Sequence, residues 1–307
     1  MKRVKSNEME AGTSKIGKNE PSRIAFSVIA YTVLFLFSVA CIIPFLMIVS
    51  GSVSSNSAII REGYSIFPRG LDFSAYKMIF SNPEVIGRAY GVTIFVTVVG
   101  TIGGLVIMSM AGYALQRSEL KYSGAISFFF YFSTLFSCGM VPSYMLISNL
   151  GMRNSLAALI IPMMVSPFNI LLVRNFMKSI PASLVESAKI DGAGDFLIYR
   201  KVILPLAKPI MATIGLFLGL AYWNDWYMAS LYIKDVEKWP LQYKLYQMLS
   251  AQMTIIMAGA EHAGNIVLPT ESVKLANAVV ATGPILLLYP FLQKYFVQGI
   301  TIGAVKG

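Results

Sequence analysis

Polar and apolar residues segregate into long blocks along this 307-residue chain instead of alternating. Six apolar runs stand out, at about 25–50, 91–115, 125–148, 155–173, 209–232 and 275–293. Each is near or above the roughly 20 residues that a helix needs to cross a bilayer. The segments between them differ in kind: 51–90 and 233–274 are long, 149–154 is a tight turn, and 116–124 is short and basic. Between the fourth and fifth runs lies the longest polar insertion on its side of the chain, residues 174–209. The pattern predicts an all-α polytopic membrane protein with six transmembrane helices.

Within that insertion the residues predict two short helices joined by a glycine hinge. Pro181 suits a first helical turn, and Ser183 with Glu186 has the spacing of a capping box. Leu184, Val185 and Ala188 supply a small apolar face. Gly192 and Gly194 allow the turn. Asp195 is positioned to cap a second helix that Pro205 ends, with Phe196, Tyr199, Val202 and Ile203 on one face. Such a helix–turn–helix cannot bury both faces by itself, so it is expected to lie against something else.

Charge placement orients the runs. With the N-terminus inside, the inner segments hold sixteen of the twenty-five lysines and arginines. Basic residues favour the cytoplasmic side, so both termini and the 174–209 insertion are expected in the cytoplasm. Composition agrees with a bilayer: 56% of residues are hydrophobic and only 13% charged, against about 25% charged in soluble domains. The net charge of +10 is spread over segments flanking the runs, which argues against nucleic acid. Cys41 and Cys138 fall inside apolar runs without motif spacing, so they are expected to be small buried hydrophobes, not disulfide partners or metal ligands. No cleavable signal peptide is expected, because the first apolar run is too long and lacks a cleavage site.

The N-terminal tail, 1–24, is polar and expected to be disordered. Its Gly12, Gly17, Lys18 and Asn19 nearly match a phosphate-binding loop, but the final Ser/Thr is missing and no strand precedes it. His262, the only histidine, reads as a solvated loop residue. No nucleophile–base pair, metal spacing or paired-carboxylate site is present, so no catalytic residue, metal or cofactor is expected. Prolines at 44, 142, 162, 167, 284 and 290 predict kinks, and Gly100 with Gly104 predicts close helix approach. The stretch Leu241–Met257 reads as a helix that either lies on the membrane surface or covers the outer mouth. Arg174 ends the fourth run and is expected to snorkel to the interface.

One carboxylate falls inside a run. Asp225 sits beside Trp223, Asn224, Trp226 and Tyr227, late in the fifth run. Intramembrane carboxylates usually face a bundle interior or a water-filled path. An outer-interface aromatic belt is the competing reading. On a continuous helix, Trp223 and Trp226 would share a face and form a stacking platform beside Asp225.

Glu186-Ser187-Ala188, Asp191-Gly192-Ala193, Val202 and Leu204-Pro205 together resemble the cytoplasmic coupling motif of permease subunits in ABC importers. Ser187 and Val202 depart mildly from that pattern, which has alanine and isoleucine there, and the spacing is intact. Gly139–Tyr144 with Asn149–Gly151, Phe168-Asn169, Arg174–Phe176 before Ile180-Pro181, and the tail Gly299–Gly307 are similar to the maltose-type, oligosaccharide-importing branch, including permeases associated with lipoprotein and polysaccharide-fragment systems. The resemblance runs from the first span onward and makes 25–307 a single transmembrane domain. It implies a non-enzymatic permease subunit moving a carbohydrate, and ATP hydrolysis on a separate subunit. It assigns ATPase coupling to Glu186, Ser187, Ala188, Asp191, Gly192, Ala193, Leu204 and Pro205, and it favours Trp223, Asn224 and Asp225 as substrate-path residues. The implied partners are a second homologous permease, a cytoplasmic ATP-binding subunit dimer, an extracytoplasmic sugar-binding protein and membrane lipid. An ion-coupled secondary transporter is the alternative, but it needs several membrane carboxylates or histidines and only Asp225 qualifies.

Overall fold

The computed structural model describes residues 21–117, 119–257 and 271–287. The near-match to a phosphate loop, His262 and the tail 299–307 lie outside them. Among the described residues every regular element is helical, apart from one isolated antiparallel bridge between Ser54 and Leu71. In chain order the helices are α1 Pro21–Ser52, α2 Asn56–Glu62, α3 Ser74–Ile79, α4 Pro83–Gln116, α5 Ser123–Leu135, α6 Met140–Asn149, α7 Ala157–Met164 and α8 Pro167–Lys178. They continue as α9 Ala182–Ile190, α10 Asp195–Ile198, a π-helical turn Tyr199–Ile203, α11 Leu204–Leu206, α12 Lys208–Trp223, α13 Tyr227–Tyr232 and α14 Leu241–Met257. Residues 271–287 form a last described helix, α15.

Only α1 and α4 are unbroken helices long and apolar enough to span a bilayer. The third run is not one helix: α5 and α6 meet at 118°. The chain between them is extended at Phe136, and Gly139 takes φ 83°, a left-handed conformation that costs a side-chain-bearing residue dearly. The fourth run bends by 42° between α7 and α8, where Ser166 caps α8 and Pro167 occupies its first turn. The fifth run breaks after Trp223, and its leading half, α12, instead joins the 195–206 segment across a 79° bend. Counting each bent pair as one span gives five candidates among the described residues. The sixth run begins in α15 and passes beyond residue 287.

α4 is the axis of the bundle, with α12, α8 and α7 packed along it. Its glycines permit the approach: a Cβ on Gly100 would strike the Tyr222 ring, and one on Gly104 would lie 3.0 Å from both the Leu218 side chain and the Met164 carbonyl. Overfilling such contacts costs about 1–3 kcal/mol. Met108, Ile170, Val173, Ile214 and Leu218 complete the core. The Tyr222 hydroxyl donates to the Ile160 carbonyl at 2.7 Å, tying α12 to α7. Arg174 reaches back instead of out: its Nε donates to Leu115 O at 3.2 Å, placing a cation at the carbonyl end of α4. By contrast, none of the apolar window of α1 is buried within the chain. Cys41, on α1, and Cys138, in the α5–α6 break, are exposed, correcting the expectation of burial. Both lie on surfaces this chain does not cover with its own residues.

Candidate functional site

The 174–209 insertion folds as two helical limbs around Gly192, with local details that differ from the sequence reading. Ser183 does not cap α9; Pro181 occupies that position and no side chain caps the helix. Proline is the better stop here because it supplies no donor and fixes φ. At the other end α9 closes in a Schellman motif. Gly192 has φ 77°, its N–H donates to Lys189 O at 3.0 Å, and the Ala193 N–H donates to Ala188 O at 3.0 Å. Both bonds satisfy carbonyls orphaned at the helix end. Ala188 and Ala193 are thereby brought together and packed, half-buried, against the core. This turn is one physical reason for the Ala188–Gly192–Ala193 pattern.

The second limb starts at Asp195, whose predecessor Gly194 is the cap residue. It does not stop at Pro205. Residues 199–203 widen into a π turn, with the Leu204 N–H donating to Tyr199 O, and the helix runs on through Pro205 to Leu206. A widened turn relieves the clash that proline makes with the preceding turn. The π turn also resets the buried face. Ile198, Tyr199 and Ile203 are buried, whereas Phe196 is 66% exposed, contrary to expectation.

The two limbs are held against α4 by a charge network that local sequence patterns do not reveal. Arg117 pairs with Asp195 of the second limb at 2.7 Å and with Glu119 at 3.2 Å. Glu119 in turn pairs with Lys189 of the first limb at 2.7 Å. The Arg117 guanidinium lies over the Tyr113 ring, and its Nη1 donates to the Tyr113 hydroxyl at 3.2 Å. Below it, the Ser109 and Tyr199 hydroxyls share a buried 2.7 Å hydrogen bond. The hydrogen bond from Lys189, a backbone bond of its own residue and the Arg117 charge hold the Glu119 carboxyl down to about 2. The partners are some 70 residues apart in sequence, so only the basic character of 116–124 hinted at this role.

Outward from this unit stand Glu186, Ser187, Asp191, Gly192 and Pro205, all exposed, with Leu204 half-buried. Among them are Ile190, 86% exposed, and the exposed Leu184, Phe196, Leu197 and Leu206. Carboxylates interspersed with uncovered large apolar side chains are the composition of a docking surface. Sequence patterning missed Ile190 and Phe196 as surface residues.

At the opposite end of α4 the expected Trp223–Trp226 platform does not form. α12 ends at Trp223, so the helical spacing that would align the two rings is lost. Trp223 is buried beside Val280 and Ala281, with its Nε1 donating to Ala281 O at 3.0 Å. It also walls a cavity of about 420 Å³ between α4 and α12, lined by Thr97, Thr101, Gly215 and Gly219 among others. Asp225 caps α13, its Oδ1 accepting from Met228 N at 3.1 Å. Asn224 is exposed and donates to Leu220 O at 2.9 Å while accepting from Gln242 at 3.3 Å. Trp226 stacks instead on Tyr246 of α14, at 4.6 Å between ring centroids. α14 is docked on α4, where the Leu241 N–H donates to the buried Thr93 Oγ1 at 2.8 Å. The three site residues predicted here thus part company: one packs, one caps and one stays open beside an exposed ring pair.

Residues 11–302 match the family described as the binding-protein-dependent transport system inner membrane component. The chain is 41% identical over 277 residues to Protein LplC of Bacillus subtilis (strain 168), covering 90% of this chain and 93% of that one. It is 37% identical to the polygalacturonan/rhamnogalacturonan transport system permease protein YtcP of the same organism, covering 92% and 98% respectively. A crystal structure of a bacterial ABC transporter involved in import of the acidic polysaccharide alginate contains a chain with TM-score 0.77 and 32% identity. That match covers 91% of this chain and 99% of the other.

Proposed function

The chain belongs to the family of binding-protein-dependent transport system inner membrane components, and from that premise we propose how it couples ATP hydrolysis to the passage of an oligosaccharide. It is a membrane permease subunit of an ABC importer for carbohydrate, not an enzyme, and it works with an ATP-binding subunit and a substrate-binding protein. This decides against the ion-coupled alternative. In our reading α1, α4, α5–α6, α7–α8, α12–α13 and the run starting in α15 are six spans, with both termini and the 174–209 insertion in the cytoplasm. A second, homologous permease completes the pathway, and lipid covers the remaining apolar faces.

The observation that carries the coupling role is the Schellman-closed turn at Gly192, pinned to α4 while its outer face stays uncovered. Glu186, Ser187 and Asp191 line the face offered to the ATPase; Ala188, Gly192 and Ala193 fix its turn; Leu204 and Pro205 carry the second limb into α12. A push on this face travels through Arg117 and Tyr199 into α4 and through the 79° bend into α12. Two reconstitution experiments test this. In a background lacking Cys41 and Cys138, Ser183→Cys is expected to react with an impermeant thiol reagent only from inside and Ser57→Cys only from outside; outside reaction of Ser183→Cys ends the topology. Glu186→Ala is expected to weaken co-purification of the ATPase subunit, and unchanged recovery removes the docking role.

A further inference from the structure

The end of the bundle away from the coupling unit holds a second, polar cavity that the substrate-path reading did not include. It has a volume of about 420 Å³ and lies between the 149–154 turn and the residues after α13. Asn154 builds it. This residue takes φ 57°, its Oδ1 accepts from the N–H groups of Lys234 and Asp235 at 3.1 and 3.0 Å, and its own N–H donates to Tyr232 O at 2.8 Å. Asparagine tolerates the left-handed region because its short amide can bond the local backbone.

Above this hub the Tyr144 and Tyr232 rings stack at 5.7 Å, nearly parallel. The Arg153 guanidinium lies over Tyr144, 5.5 Å from the ring centroid. A guanidinium resting on an aromatic face keeps its N–H edge free for a planar, bidentate acceptor. Lys234 lines the same cavity. The neighbouring carboxylates are already engaged: Asp235 with Lys238 and Asn154, and Glu237 with Arg88. Among the described residues neither Arg153 nor Lys234 enters an ion pair. The cavity therefore carries two uncompensated positive charges, one of them pre-oriented. α13 alone separates it from the Trp226–Tyr246 stack, a distance of about 9 Å for six helical residues.

We propose that this cavity is an entry site for acidic oligosaccharides, in which Arg153 and Lys234 hold the carboxylate of a uronic-acid unit before the sugar passes to the Trp226–Tyr246 stack. The inference rests on the importer reading above and narrows its substrate class. A carboxylate suits the fork of Arg153, and a saccharide suits the hydrogen-bonding, mostly non-aliphatic wall. The alginate importer and the polygalacturonan permease to which the chain is similar are named for acidic glycans.

The test is equilibrium binding to the assembled importer in nanodiscs without its binding protein, using trigalacturonate and its fully methyl-esterified form. The two probes share a sugar backbone and differ in charge. Wild type is expected to bind trigalacturonate about tenfold more tightly than the ester, with the preference shrinking as salt rises. Arg153→Gln with Lys234→Gln is expected to erase the preference while ATP-dependent uptake of the ester with binding protein persists; Arg153→Lys is expected to restore only part of it. Equal binding of the two probes by wild type, or a preference unchanged in the double variant, overturns the proposal. So does a preference that appears only when phosphatidylglycerol is absent from the nanodisc, which marks a lipid-headgroup site. If wild type imports neither probe with ATP and binding protein, the importer reading fails as well; import of the ester alone sinks only the acidic-sugar site.

Discussion

The two ends of α4 are built from different interactions. At the Arg117 end the coupling limbs are fastened by ion pairs, most of whose members are half or more exposed, and by a single buried hydroxyl pair. At the Pro83 end the loops are fastened by buried or backbone hydrogen bonds: Leu241 to Thr93, Trp223 to Ala281, and four through Asn154. Exposed ion pairs are worth roughly 0–1 kcal/mol, whereas stranding a buried polar group costs about 1–3 kcal/mol. The coupling unit is thus held in register by bonds cheap to break and remake, with uncovered apolar residues awaiting a partner. The far end is held by bonds whose loss is expensive, as befits a surface that must keep its shape while substrates come and go.

The sharpest break of that contrast is Gly192→Val. A β-branched residue at φ 77° is strained by about 1–3 kcal/mol, and the Schellman bonds cannot both survive the distortion. ATP-dependent uptake is expected to fall by more than about tenfold while the protein still inserts and binds its partner permease; wild-type uptake would remove the turn from the coupling element. Ser187→Ala, exposed and outside those bonds, is the control expected to leave uptake unchanged.

Arg117 probes the fastening itself. Its side chain is 13% exposed, the most buried member of the network. Arg117→Met is expected to reduce uptake several-fold and to raise ATPase activity uncoupled from substrate. A double-mutant cycle with Asp195→Asn is expected to return a coupling energy of about 0.5–3 kcal/mol. Strict additivity of the two changes would mean that the pair carries no force.

At the far end, Trp226→Ala removes the ring that stacks on Tyr246 and is expected to weaken uptake by a few-fold per assembled complex, since such pairs contribute about 0.5–1.5 kcal/mol. Asp225→Asn keeps a residue competent to cap α13, so assembly is expected to be unchanged and any change in uptake reports the charge alone. Lowered abundance with unchanged uptake per complex, for both variants, would favour the aromatic-belt reading of this cluster.

The smallest effect concerns pH. Glu119 has its carboxyl depressed to about 2 in the folded chain, against about 4.3 when unfolded. A depressed acid contributes stability that is fully present above the unfolded value and is lost as pH falls through the folded one. Hydrogen exchange across 182–199 is therefore expected to be flat in its Glu119-dependent part from pH 7.5 to about 5, and to rise only toward pH 2–4. Lys189→Gln is expected to move that rise to higher pH, and an unmoved profile would separate Glu119 from Lys189.

Much of this was legible in the chain itself. Six apolar runs announced a polytopic helical membrane protein, because the length of an apolar run is a local property set by bilayer thickness. The Gly192 turn was legible for the same reason: backbone permissiveness at one residue and the spacing of Glu186, Ala188 and Leu204-Pro205 are read within a few helical turns. Tertiary structure decided what depends on distant partners. The third and fifth runs break, because Gly139 and the capping of α13 by Asp225 decide where helices stop, and hydrophobicity is blind to such stops. Trp223, read as a sugar platform, became core once α15 offered the Ala281 carbonyl. Arg117, Glu119, Lys189 and Asp195 looked like solvated surface until folding closed some 70 residues of separation, and Arg153 and Lys234 met only because Asn154 ties two outer loops together. Periodicity records which face of an element is buried; which residue waits on the other side is settled only when the elements pack.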